Sequence, residues 1–161
     1  MKLGAISFVI ALFAATMASA AVKTATVYDG ITADQFAQIM RSNGYSATVG
    51  TNSDGTKNVQ SYDSDVAFTA FLQDCDANGE CAGIQFHATV GTCSDLPASY
   101  ERANDWNREN IAQADVGAPG CTVYMSLFTI VAGVSSDDLV AALGLWHSSM
   151  RDALPFFGTG V

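Results

Sequence analysis

The chain has 161 residues, 49% hydrophobic and 14% charged, with 16 acids against 7 basic residues and a formal charge of −9. That length suits one domain able to bury roughly two thirds of its unfolded surface in a single core. The acidic balance repels phosphate backbones and anionic headgroups, which argues against nucleic acid and membrane surfaces as partners.

Residues 1–20 read as a secretory signal peptide. Lys2 is a minimal basic start, residues 3–15 (LGAISFVIALFAA) are an apolar run, and Ala18-Ser19-Ala20 is a small-x-small cleavage pattern. The run falls short of the ~20 residues a spanning helix needs, and no later stretch is long and apolar enough for stable membrane insertion. No cysteine stands at the cleavage site to carry a lipid. The expected product is soluble and exported, periplasmic first and fully secreted second, beginning at Ala21. It keeps 141 residues as a single domain, with six basic residues against sixteen acids, a formal charge of −10.

The first predicted element is a helix over 33–43. Thr32 and Gln35 form a capping box, Ile31 can staple against Phe36, and Gly44 stands where a helix stops. Phe36, Ile39 and Met40 make its buried stripe. Alternation predicts strands over 45–50, 57–62, 66–73 and 81–90, the first pair joined by the turn-forming TNSDG at 51–55. In the last of these, Ile84, Phe86, Ala88 and Val90 share one face and Gln85, His87 and Thr89 the other.

The link between the last two strands, DCDANGEC, matches the start of a calcium loop. Asp74, Asp76, Asn78 and Gly79 occupy its first, third, fifth and sixth positions. The rest disagrees. The flanks are strand-like rather than helical, and the twelfth position, where a bidentate glutamate should close the shell, is Gln85. A tight turn is the expected reading, with Cys75 and Cys81 close enough to bridge it. Four cysteines allow three pairings, and export permits disulfides. If Cys75 pairs with Cys81, Cys93 and Cys121 remain for each other. No C-x2-C spacing suggests zinc, and no cofactor is expected.

A second helix is predicted from a Ser94 or Asp95 cap to about Asn110, with Pro97 in its first turn. Tyr100, Ala103, Trp106 and Ile111 are its candidate inward residues. A weak strand over 111–116 and a strong one over 122–131 follow, around a Gly117, Pro119, Gly120 turn. The last helix begins at Ser135 with Asp138 as capping partner, and Leu139, Ala142, Leu143, Trp146 and Met150 form a core stripe. The order α-β-β-β-β-α-β-β-α predicts an α+β fold, a mostly antiparallel sheet with three helices covering one face.

Four segments then carry a resemblance: ITADQFAQIMRSNGYSATVGTNSDG, VAFTAFLQDCDANGECAGIQFHATV, DWNREN and GVSSDDLVAALGLW. Together they resemble the YbjN family of bacterial sensory transduction regulators over about 31–150. The most specific pieces are the paired cysteines before Ile84-Gln85-Phe86 and the Trp106-Asn107 dipeptide. The resemblance implies a fold like that of type III secretion chaperones, often dimeric, and regulation or protein binding rather than catalysis. The chain departs from the family in the apolar segment IAQADVGAPGCTVYMSLF and in Cys93 and Cys121, which look like additions.

The residues point away from catalysis on their own account. His87 and His147 are the only side chains suited to act as bases at neutral pH. No G-x-S-x-G, H-E-x-x-H or phosphate-binding glycine loop is present. The neighbouring carboxylates Asp63 and Asp65, Asp74 and Asp76, and Asp137 and Asp138 sit in turns or at a helix start, where they cap or are solvated. A noncatalytic binding module holding a protein or peptide, or a second copy, is the leading expectation. Tyr62, Phe71, Tyr124 and Phe128 are its candidate contacts, to be found either packed beneath a helix or exposed as a patch. The alternatives are a calcium or small-ligand sensor using Asp74, Asp76 and Asn78 in the 74–80 turn, and a structural protein without a discrete site.

Overall fold

In chain order the elements are β1 (Val27–Tyr28), α1 (Ala33–Ser42), β2 (Thr48–Thr51), β3 (Lys57–Asp63), β4 (Val66–Cys75), β5 (Cys81–Thr92), α2 (Leu96–Glu109), β6 (Gln113–Gly117), β7 (Thr122–Ile130), β8 (Val134–Ser135) and α3 (Ser136–Phe157). The computed structural model describes residues 25–63, 66–117 and 121–158, so the expected signal peptide lies outside the described residues. The fold is α+β, as the sequence predicts. Strands β2 to β7 form one antiparallel sheet in the order β2-β3-β4-β5-β7-β6, and β1 and β8 pair as a short ribbon. That ribbon escapes sequence reading because two residues carry no alternation.

The helix starts are local chemistry. Thr32 Oγ1 accepts from the Gln35 N–H, and Gln35 Oε1 accepts from the Thr32 N–H at 2.8 Å. Ser135 and Asp138 repeat the reciprocal pair on α3, while Asp95 caps α2. Such caps contribute about 1 kcal/mol each.

Several strand boundaries differ from expectation: β4 and β5 run on to Cys75 and Thr92, past the expected 73 and 90, and β6 begins at Gln113 rather than 111. Strand β2 starts at Thr48 rather than Tyr45 because the preceding residues close the end of α1. Tyr45 N–H donates to the Met40 carbonyl, and Arg41 Nη1 donates to the Ala47 carbonyl at 2.9 Å. Helix α2 ends at Glu109, and Asn110 turns to extended geometry, which throws Ile111 out of helical phase. Ile111 is 69% exposed and Tyr100 is also exposed, so neither is an inward residue; Ser99, Ala103 and Trp106 are.

One face of the sheet forms the core with all three helices. Phe86 sits at its centre, with Phe36 at 6.0 Å, Phe68 at 6.3 Å and the Trp146 ring stacked at 5.6 Å. In α3, Leu139, Leu143, Trp146 and Met150 are buried as predicted, and Ala142 is half-buried.

The Trp106-Asn107 dipeptide has a clear structural task. Asn107 Nδ2 donates to the Ala114 carbonyl at 2.9 Å, its Oδ1 accepts from the Ala114 N–H at 2.6 Å, and Trp106 Nε1 donates to the Ala112 carbonyl at 2.7 Å. A side-chain amide thus imitates the next strand at Ala114 and blunts the outer edge of β6, which would otherwise offer a template for pairing. Asn107→Ala leaves both Ala114 groups without these bonds. Urea unfolding should show a loss of about 1–3 kcal/mol, and Asn107→Asp, which keeps the acceptor alone, should not restore it.

Candidate functional site

Among the described residues the opposite face of the sheet carries no helix, because α1, α2 and α3 all pack on the core side. Strand alternation fixes what stands there. Phe71 and Phe128 are both in register with Gln85, Tyr124 with Thr89, and Tyr62 with Ala67. The four aromatics singled out in the sequence therefore share this open face, and none is packed beneath a helix. Tyr62 is 65% and Phe128 53% exposed; Phe71 and Tyr124 are half-buried among their neighbours.

Two rings lie down on glycines of adjacent strands. A Cβ on Gly83 would stand 2.6 Å from Phe128 Cζ, and one on Gly117 would stand 2.7 Å from Tyr124 Cε2. The bare backbone lets each ring lie close over the sheet. His87 links the others: its ring meets Phe71 edge-on at 6.1 Å and stacks on Tyr124 at 5.2 Å. A continuous row, Phe71–His87–Tyr124, thus crosses β4, β5 and β7. Sequence reading placed His87 on a polar strand face; its aromatic neighbours come from the strands on either side, the hairpin partner β4 and the sequence-distant β7.

Partial burial in this row lowers the His87 pKa from its ordinary value, opposed by the charge of Asp115. The folded state therefore favours the neutral ring. Its stabilising contribution is complete above the unfolded value of about 6.5 and is lost as pH falls through the lowered folded value. Thermal unfolding at pH 7.5 and pH 5 should show a smaller acid loss in His87→Gln than in the natural protein.

His147 plays a different part. Its Nδ1 lies 2.5 Å from the buried Asp63 carboxylate, and Tyr45 meets its ring edge-on at 6.2 Å. This contact ties α3 to β3.

The 74–80 segment is a hairpin turn. Asp76 N–H donates to the Glu80 carbonyl at 2.9 Å, and Gly79 has a φ of 78°. Asp76 Oδ1 accepts from the backbone N–H of Asn78 and Glu80 at 2.8 and 2.9 Å, and Oδ2 from the Asn78 side chain. These bonds, the Glu80 N–H foremost, hold the Asp76 pKa below the ordinary carboxylate value. They make the Asp76 carboxylate the acceptor that closes the turn. Among the described residues, no three His, Cys, Asp or Glu side chains are grouped to hold a metal.

Cys75 and Cys81 are directly paired across the hairpin and disulfide-bonded, and Cys93 is bonded to Cys121, joining the end of β5 to the start of β7. Both bridges fit an extracellular or periplasmic location. Among the described residues no helix is long and apolar enough to cross a membrane. A surface cleft of about 490 Å³ lies between α2 and the end of α3, lined by residues of both signs including Asp105, Arg108 and Asp152. Arg108 there is already paired with Asp105.

No curated protein matches the chain. Residues 32–159 match the family model YbjN, described as "Putative bacterial sensory transduction regulator". That description fits a noncatalytic role. The match spans the sheet, the three helices and both disulfides, and the chain belongs to the YbjN family.

Proposed function

We propose that this YbjN protein is an exported, noncatalytic regulator that works as a chaperone-like binding module, holding a protein or peptide on the open face of its sheet. One observation carries the reading: Tyr62, Phe71, Tyr124 and Phe128 all stand on the sheet face that no helix covers among the described residues. Aromatic side chains supply large contact area with few torsions to freeze, and they are enriched where proteins bind one another. The two disulfides and the signal-like N-terminus support export.

A photo-reactive phenylalanine analogue at position 128, compared in living cells with the same analogue at the exposed Leu145 of α3, tests the surface. Adducts to a distinct protein are expected from position 128 and not from 145. Equal adducts from both positions, or none from 128, would overturn the assignment. N-terminal sequencing of the same purified protein should begin at Ala21.

A further inference from the structure

We infer that the open face selects extended polypeptide segments that are uncharged and carry aromatic side chains at alternate positions. This rests on the binding-module reading above and adds what the partner segment must look like.

The first argument is charge. The protein has 16 acidic and 7 basic residues, yet among the described strand positions on this face Asp115 is the only charged side chain. The rest is aromatic, neutral and polar, such as Gln60, Gln73 and Gln85, or uncharged and apolar, such as Ala67 and the exposed Ile130. Depletion of charge together with enrichment of tyrosine and phenylalanine is the composition of an interface centre. A charge brought against such a face loses water and gains no counter-ion, which is costly. An acidic segment is further opposed by the field of the whole molecule. A basic segment is drawn in by that field but finds Asp115 alone on the face.

The second argument is spacing. Alternate side chains of an extended chain lie about 6.8 Å apart on one side. Successive rings of the Phe71–His87–Tyr124 row stand 6.1 and 5.2 Å apart. An extended segment lying along that row can bring every second side chain against a ring, in the offset or edge-on geometry that aromatic pairs prefer. The amides of Gln73 and Gln85, 3.4 Å apart beside the row, offer donors and acceptors to a backbone.

Fluorescence anisotropy with three labelled peptides of equal length tests this on the full mature, oxidised protein. One alternates Phe or Tyr with Gln and Thr; the second replaces Gln by Asp; the third replaces Gln by Lys. Binding of the neutral peptide should be stronger than that of the acidic one by about tenfold or more. The basic peptide should bind more weakly than the neutral one at physiological salt, and its affinity should fall further as salt rises. Phe128→Ser and Tyr124→Ser should each weaken the neutral peptide, and Leu145→Ser should not.

Equal binding of all three peptides would overturn the charge selection while leaving the binding-module reading in place. No peptide binding, together with photo-adducts from position 128, would overturn the extended-segment occupant alone. A mass that doubles with concentration and returns to monomer in Phe128→Ser would place a second copy on the face and overturn the proposal. No peptide binding and no adducts would remove both readings.

Discussion

Trp146→Ala should destabilise the protein by about 3–5 kcal/mol, the range for emptying a core site of a large aromatic ring. Against a total stability of 5–15 kcal/mol for ordinary domains, that is about a fifth or more of what holds the chain folded. The expectation rests on position. Trp146 is 1% exposed, stacks on Phe86 at 5.6 Å and meets Phe68 edge-on at 5.8 Å. Its loss therefore removes contacts to both β4 and β5, on strands whose shared pairing leaves the backbone little freedom to collapse into the space. Urea unfolding followed through the remaining Trp106 measures it. Trp146→Phe gives a sharper comparison, because Trp146 Nε1 is buried with no hydrogen-bond partner among the described residues. The phenylalanine loses volume but also removes that unmet donor, and should cost well under the alanine change. Equal losses for the two variants would show that the site cannot use a ring without the indole.

This core was legible in the sequence. The stripe through Leu139, Leu143, Trp146 and Met150 has helical period, and Ile84, Phe86 and Ala88 alternate as a strand does, so each buried face follows from spacing alone. The capping boxes at Thr32 and Ser135 were equally local. What spacing does not encode is which strands become neighbours. The register of β5 with β7 brings Tyr124 onto His87, and a chain separation of 37 positions hides that contact from any window-based reading. The blunting of the β6 edge by Asn107 is hidden for a related reason, since an asparagine near a helix end reads first as a cap or a solvated residue. Alternation did place Phe71 and Phe128 opposite the core faces. Whether a helix lay over them depended on how the three helices distribute over the sheet, and all three take the side where Phe36, Trp106 and Trp146 find apolar partners.

The second large effect belongs to the disulfides, and its size should follow loop length. Cys93 and Cys121 are 28 positions apart, and Cys75 and Cys81 only 6. If a bridge acts by restricting the unfolded chain, the long loop contributes about 3.6 kcal/mol and the short one about 2.2 kcal/mol. Cys93→Ala with Cys121→Ala should therefore lower the urea midpoint more than Cys75→Ala with Cys81→Ala, each pair changed together so that no free thiol confuses the result. The opposite order would mean that native contacts around the hairpin, where Ile31 also bridges to Cys81 in the backbone, outweigh loop closure. Together the bridges supply about 6 kcal/mol, comparable to the whole stability of a modest domain. The reduced chain should accordingly lie near the edge of folding, and adding a strong thiol reductant to the natural protein should bring its midpoint down at least as far as the Cys93, Cys121 pair of changes does. A fold this dependent on oxidation gains its full stability only where disulfides form, which fits an extracellular or periplasmic location.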